Sequence, residues 1–154
     1  MLVLPTPKKY FLTAGAAEGH SELNAFDNAL LKARVGNVNL IKVSSILPPE
    51  AVFDAELVIP FGSLVPIAYA CIISEHPGEI ISAAVATGIS EDSFGVIMEY
   101  SCHGSKDQAE AAVIKMVEEA FATRGMNLRE IKLAAVEHTV TKIGCAFAAV
   151  PLWY

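Results

Sequence analysis

Two adjacent serines sit where the chain can hold reacting groups together. Ser44 and Ser45 follow a strand-like run, Val38-Asn39-Leu40-Ile41-Lys42-Val43, and precede Ile46-Leu47-Pro48-Pro49-Glu50. Neither proline has an N–H to continue a sheet ladder, so the strand must stop and the backbone turn rigidly away. Such a stop holds one hydroxyl against one carbonyl. It equally describes a solvated strand end, where serine is a common turn residue. Glu99 is the second candidate: it is the only charged residue in Phe94-Gly95-Val96-Ile97-Met98-Glu99-Tyr100. A charge inside such a run requires either solvent at a sheet edge or a functional site. His138 reads as a base or as a structural histidine; beside Glu137 in an apolar run, the hydrogen-bonded structural role is the better reading.

No metal chemistry is suggested, because His20, His76, His103 and His138 show no ligand spacing. Cys71, Cys102 and Cys145 are widely separated and form no Cys-x-x-Cys pair. They read as reduced thiols, with Cys145 a core residue and not a nucleophile.

The elements that must position these groups follow from periodicity. Residues 10–13 read as a short first strand, and the small residues of 14–20 as a loop. Ser21 is a helix N-cap for residues 22 to 32 or 33, with Leu23, Phe26 and Leu30 facing the core and Gly36 ending the helix. Asp27 flanks that apolar stripe. In the strand at 38–44, Asn39 shares a face with Ser45 if the strand is regular to its end. A loop extends to about Pro60. Strands are expected at 64–74, 79–86 and 94–100, with Pro77-Gly78 a turn in a hairpin-like position. The spacing of Ala109, Ala112, Val113, Met116, Val117, Ala120 and Phe121 predicts an amphipathic helix over 105–124, stopped by Gly125. Strands at 128–140 and 145–154 close the chain. Short turns between successive strands favour antiparallel pairing. Two amphipathic helices would cover the outer faces of stacked sheets. The expected fold is α+β, a four-layer αββα sandwich with mainly antiparallel sheets.

With 154 residues the chain is read as one domain, 1–154, able to bury a real core. Apolar residues at 53% against 18% charged suggest extensive buried surface, subunit interfaces included. No apolar run is long enough to span a bilayer, and residues 1–9 do not read as a signal peptide, so a cytoplasmic location and no membrane partner are expected. A net charge of −6 without a basic run argues against nucleic acid.

One further set of residues carries a resemblance. It comprises Asn24-Ala25-Phe26-Asp27-Asn28-Ala29-Leu30-Leu31 and the run from Gly36-Asn37 through Ser44-Ser45-Ile46-Leu47-Pro48-Pro49. Pro77-Gly78-Glu79, Ile97-Met98-Glu99-Tyr100, Val136-Glu137-His138-Thr139-Val140 and Gly144-Cys145-Ala146-Phe147-Ala148-Ala149 extend it. In this order they resemble the pyruvoyl-dependent arginine decarboxylases over nearly the whole chain. The most specific feature is the serine pair followed by two apolar residues, two prolines and Glu50.

The resemblance implies a zymogen that cuts itself. The Ser45 hydroxyl would attack the Ser44 carbonyl, and elimination from the resulting ester would leave chains 1–44 and 45–154, the second beginning with a pyruvoyl group made from Ser45. Asn39 would stabilise the oxyanion. The pyruvoyl group would form a Schiff base with L-arginine, in place of pyridoxal phosphate and without a metal, and yield agmatine and CO₂ for polyamine biosynthesis. Glu99 would return the proton to the α-carbon, kept protonated by its apolar strand. Asp27 would bind the guanidinium, assisted by the Gly36 and Val38 carbonyls, with Leu30 and Ile46 along the aliphatic stem. The family's trimer, with active sites between subunits, would let Asp27 serve a neighbour's pyruvoyl group. Two alternatives stand beside this reading: a pyruvoyl decarboxylase of another amino acid, or an unprocessed, non-catalytic oligomeric paralogue that binds arginine or agmatine or acts as a regulatory subunit.

Overall fold

The computed structural model describes residues 1, 3–44 and 46–154. Its layers are a helix, a six-stranded sheet, a four-stranded sheet and a second helix, the expected αββα sandwich. The strands are β1 (Lys9–Tyr10), β2 (Thr13–Glu18), β3 (Asn39–Lys42), β4 (Ile46–Leu47), β5 (Val52–Phe53), β6 (Leu64–Ser74), β7 (Ile80–Ile89), β8 (Gly95–Cys102), β9 (Glu130–Thr139) and β10 (Gly144–Trp153). The helices are α1 (Glu22–Lys32) and α2 (Lys106–Arg124). The first sheet runs β3-β6-β10-β1-β5, with β2 also paired to β10; the second runs β4-β8-β7-β9. Pairing is antiparallel except for β1 with β5 and β3 with β6. Three apolar cores separate the layers: one under α1, one between the sheets and one under α2.

The second helix forms as its periodicity predicts. Ser105 and Gln108 make a reciprocal capping box, and Gly125 ends the helix in the left-handed region at φ 65°. Its buried face is Ala109, Val113, Val117, Ala120 and Phe121.

The first helix has the expected bounds, Glu22–Lys32, but a different buried stripe and a different stop. Ser21 does cap it, accepting from the Asn24 N–H at 3.1 Å. The buried stripe, however, is Ala25, Ala29 and Leu30, continued by Ala33, while Leu23 is 74% exposed. Small residues centre the stripe because the helix lies very close to the sheet. A Cβ on Gly15 would stand 2.6 Å from the Ala29 carbonyl oxygen. The helix ends at Lys32 as expected, but the residue that turns the chain is Arg34 and not Gly36. Arg34 takes φ 67°, and its guanidinium lies 5.0 Å over the Phe11 ring while donating to the Ala55 and Leu57 carbonyls. Those contacts offset a left-handed conformation that is uncommon for a non-glycine residue.

The same close approach corrects the N-terminal reading. Most of the segment expected as a loop at 14–20 is strand β2, paired with β10 from Thr13↔Ala149 to Glu18↔Gly144. Its small residues serve helix–sheet contact and not flexibility. The expected strand at 10–13 is instead broken at Phe11 and Leu12, between β1 and β2. Pro77-Gly78 does turn, with Gly78 at φ 86°, but it joins β6 of one sheet to β7 of the other and is no hairpin.

Candidate active site

The chain changes sheets at the serine pair. β3 is an edge strand of the first sheet, in parallel register with β6 from Asn39↔Leu64 to Lys42↔Ile67. The ladder continues one residue further, where the Val43 N–H donates to the Ile67 carbonyl at 3.0 Å. β4 then pairs antiparallel with β8 of the second sheet, Ile46↔Val96 and Leu47↔Gly95. Ser44 is exposed. Ser45, the expected pyruvoyl precursor, lies outside the described residues. Beside Ser44 is a hollow of about 240 Å³ whose walls include Leu4, Pro7, Val43, Ile46 and Tyr154. That is below the usual size of a ligand pocket.

Glu99 faces the space between the sheets. Its neighbour two residues back, Ile97, belongs to the inter-sheet core, and side chains two apart share a strand face. On the same face, the Ser101 Oγ donates across to the Cys71 carbonyl of β6 at 3.3 Å. The Glu99 Oε2 is buried and has no hydrogen-bond partner among the described residues. Burial pushes its carboxyl above the ordinary range, and the charge of Lys42 pulls partly the other way. A partly desolvated carboxyl held toward its protonated form suits an acid that gives a proton to a substrate.

Asn39 stands on the same side. Val43 packs into the inter-sheet core, whereas Val38 and Leu40 pack into the core under α1. Alternation therefore turns Asn39 toward the inter-sheet face. Its Nδ2 donates to the Gly62 carbonyl at 3.0 Å, which uses one of its two amide hydrogens.

The residues expected to hold the substrate form a second group. Asp27 is exposed on α1. Leu30 is buried, and Val38 partly so, in the core beneath that helix. Gly36 lies against Leu31, so closely that a Cβ there would stand 2.6 Å from its Cδ2. Ile46, at 40% exposure, is the one stem-lining candidate near the crossing. Within one protomer, Asn39 and Glu99 thus lie on one face of the first sheet, and Leu30 and Val38 on the other.

Lys42 was not legible as a participant, although it is a lone cation in an apolar strand next to the serines. Its Nζ lies 4.5 Å over the Tyr69 ring, a favourable cation–π distance. His138 is structural, as its sequence context suggests. Its Nε2–H donates to the Glu18 Oε2 at 2.6 Å, while the Thr141, Lys142 and Ile143 N–H groups donate to Oε1. Burial alone would raise the Glu18 pKa; the His138 bond and the backbone donors outweigh it and bring it to about 2. Among the described residues, no His, Cys, Asp and Glu side chains cluster in a way that would hold a metal ion, and no helix is long and apolar enough to cross a membrane.

A sequence model of the pyruvoyl-dependent arginine decarboxylases (PvlArgDC) matches residues 9–154. The chain is similar to the pyruvoyl-dependent arginine decarboxylase of Methanocaldococcus jannaschii, 53% identical over 150 residues, which cover 96% of this chain and 91% of that protein. The Pyrococcus abyssi protein of the same name is 50% identical over 152 residues, covering 96% of each chain. That of Methanococcus maripaludis strain C5 is 48% identical over 150 residues, covering 96% of this chain and 92% of that protein. A family model spanning nearly all of the chain, and relatives this similar end to end, lead to one conclusion: the chain belongs to the pyruvoyl-dependent arginine decarboxylase family and is an enzyme of the lyase class.

Proposed function

We propose that the protein is a single-domain zymogen that cleaves itself between Ser44 and Ser45 and then converts L-arginine to agmatine and CO₂. In the first stage the Ser45 hydroxyl attacks the Ser44 carbonyl, and the Asn39 amide stabilises the oxyanion. The peptide bond gives way to an ester. Elimination across the Ser45 Cα–Cβ bond frees the Ser44 carboxylate, and hydrolysis with loss of ammonia leaves the pyruvoyl group at residue 45. The sheet-to-sheet crossing supports this reading, because strands fasten the chain immediately before and after the serines.

The pyruvoyl carbonyl would supply the electrophile for the substrate amine and the electron sink for loss of CO₂. Glu99 delivers a proton to the substrate α-carbon. The single observation that carries this role is its buried oxygen between the sheets, without a hydrogen-bond partner among the described residues. Asp27 accepts the guanidinium, the Gly36 and Val38 carbonyls add acceptors, and Leu30 and Ile46 border the stem. The separation of Leu30 and Val38 from Glu99 by the first sheet supports a site completed between subunits of a trimer. The setting we infer is cytoplasmic, and the product feeds polyamine biosynthesis.

Intact mass under denaturing conditions tests the first stage. Two chains split after Ser44 are expected, the larger lighter by one ammonia than a serine-started chain. Ser45→Ala should remain a single chain. CO₂ release from arginine, and not from lysine, ornithine or aspartate, tests the second stage; a wild-type chain that stays whole for days would overturn the proposal.

A further inference from the structure

Two thiols that neither the cleavage nor the decarboxylation uses are in contact. In the register of β6 and β10, Cys71 stands opposite Phe147 and Cys145 opposite Ile73, so the cysteines are diagonal neighbours. Their sulfurs are 3.6 Å apart, although 74 residues separate them in the chain. Both are free thiols, and both belong to the core beneath α1. A disulfide needs about 2.05 Å between sulfurs, so closing one takes side-chain rotation and an approach of the two backbones.

The two sulfurs are not equivalent. Cys145 is fully buried, while Cys71 retains some exposure. The contact between the two sulfurs lowers the Cys71 thiol, and the Lys42 charge adds to this. The same contact and burial raise Cys145. A partly exposed sulfur in contact with a buried second thiol is the arrangement of an oxidisable cysteine with its resolving partner. Cys102 has no such neighbour: it contacts the Ser82 hydroxyl at 3.2 Å in the other sheet.

We propose that Cys71 and Cys145 form a reversible dithiol–disulfide site whose oxidant is a hydroperoxide. The Cys71 thiolate attacks the terminal peroxide oxygen. The O–O bond breaks, an alcohol or water leaves with a proton from solvent, and Cys71 becomes a sulfenic acid. The Cys145 sulfur then attacks the Cys71 sulfur. The S–S bond forms as the S–O bond breaks, and the hydroxide leaves as water with the Cys145 proton. Two electrons pass from the thiols to the peroxide, and thiol exchange returns them. The bridge fastens β6 to β10 within the segment 45–154, so it forms whether or not the chain is cut after Ser44. It also bears on the strand of Glu99, because the Cys71 carbonyl accepts from Ser101 of β8.

The test treats the native protein with hydrogen peroxide, quenches with acid, denatures, alkylates free thiols and measures mass. The expected result is loss of two of the three alkylation sites, a Cys71–Cys145 linked peptide, and return of all three sites after dithiothreitol. Cys145→Ser should instead accumulate a dimedone-reactive sulfenic acid on Cys71, and Cys71→Ser should leave Cys145 reduced. Three alkylatable thiols after treatment of the wild type would overturn the proposal, as would a bridge to Cys102 or one that forms only after denaturation.

Discussion

At Glu99, burial and charge act in opposite directions. Burial favours the protonated carboxyl, and Lys42 opposes it. If Glu99 donates the proton, activity must fall as pH rises through its raised pKa, because the acid form is then lost. Removing the opposing cation raises that pKa further. Lys42→Met should therefore move the alkaline limb of the kcat/KM profile to higher pH, while Lys42→Arg leaves it near the wild-type position. Glu99→Gln should lower kcat by about 10²-fold or more, since positioned acid catalysis contributes about 10²–10⁴. CO₂ release at fixed enzyme concentration measures both, and unchanged turnover in Glu99→Gln would remove the residue from the mechanism.

At the scale of elements, the contacts that matter most are between a small residue and a neighbouring backbone. Gly15 lets β2 approach α1 until a Cβ would meet both the Ala29 oxygen and, at 2.7 Å, the Ala33 nitrogen. Helix and strand must separate to admit one methyl group. Gly15→Ala should cost about 1–3 kcal/mol, read as a lowered thermal midpoint. Glu18 works at the other end of β2, where it holds the turn before β10 and His138 of the opposite sheet. Its folded pKa of about 2 lies below the ordinary 4.5. The depressed value makes its stabilisation fully present above about pH 4.5 and lost as pH falls toward about 2. Its side chain is 30% exposed, so solvent screening limits the contribution to about 1–2 kcal/mol. Glu18→Gln should be less stable by that amount at pH 7 and should converge with wild type in acid, as denaturant melts at several pH values would show.

For the whole molecule, cleavage after Ser44 would cut a chain without dividing its core. Residues 1–44 supply β1, β2, α1 and β3, and each is fastened to the remainder. β2 and β1 pair with β10, β3 pairs with β6, and α1 shares a core with Ile67, Phe147 and Ala149. The 1–44 chain, with one helix and an incomplete sheet, cannot bury those faces alone. The two chains should therefore migrate together in native size exclusion and separate only in denaturant; release of the short chain under native conditions would refute this.

What could be read from residues alone was what local hydrogen bonding and periodicity control. The bounds of β6, the cap and stop of α2, and the Ser21 cap follow from neighbours within a few positions. The double proline after the serines belongs to the same class, and so does the family resemblance, which rests on residues in order. Local pattern misjudged β2, because its alanines and glycine carry little strand preference of their own and owe their place to the helix packed on them. It placed the end of α1 correctly but named Gly36 as the stop, whereas the left-handed residue is Arg34, held by Phe11, Ala55 and Leu57 from elsewhere in the chain. Only the tertiary structure decided that Pro77-Gly78 joins two sheets, that the Val43 face of β3 meets the other sheet while the Leu40 face meets α1, and that Cys71 touches Cys145. Each depends on which distant strand lies alongside, and that choice is made by burying apolar faces across the whole chain, a sum that no short window of sequence contains.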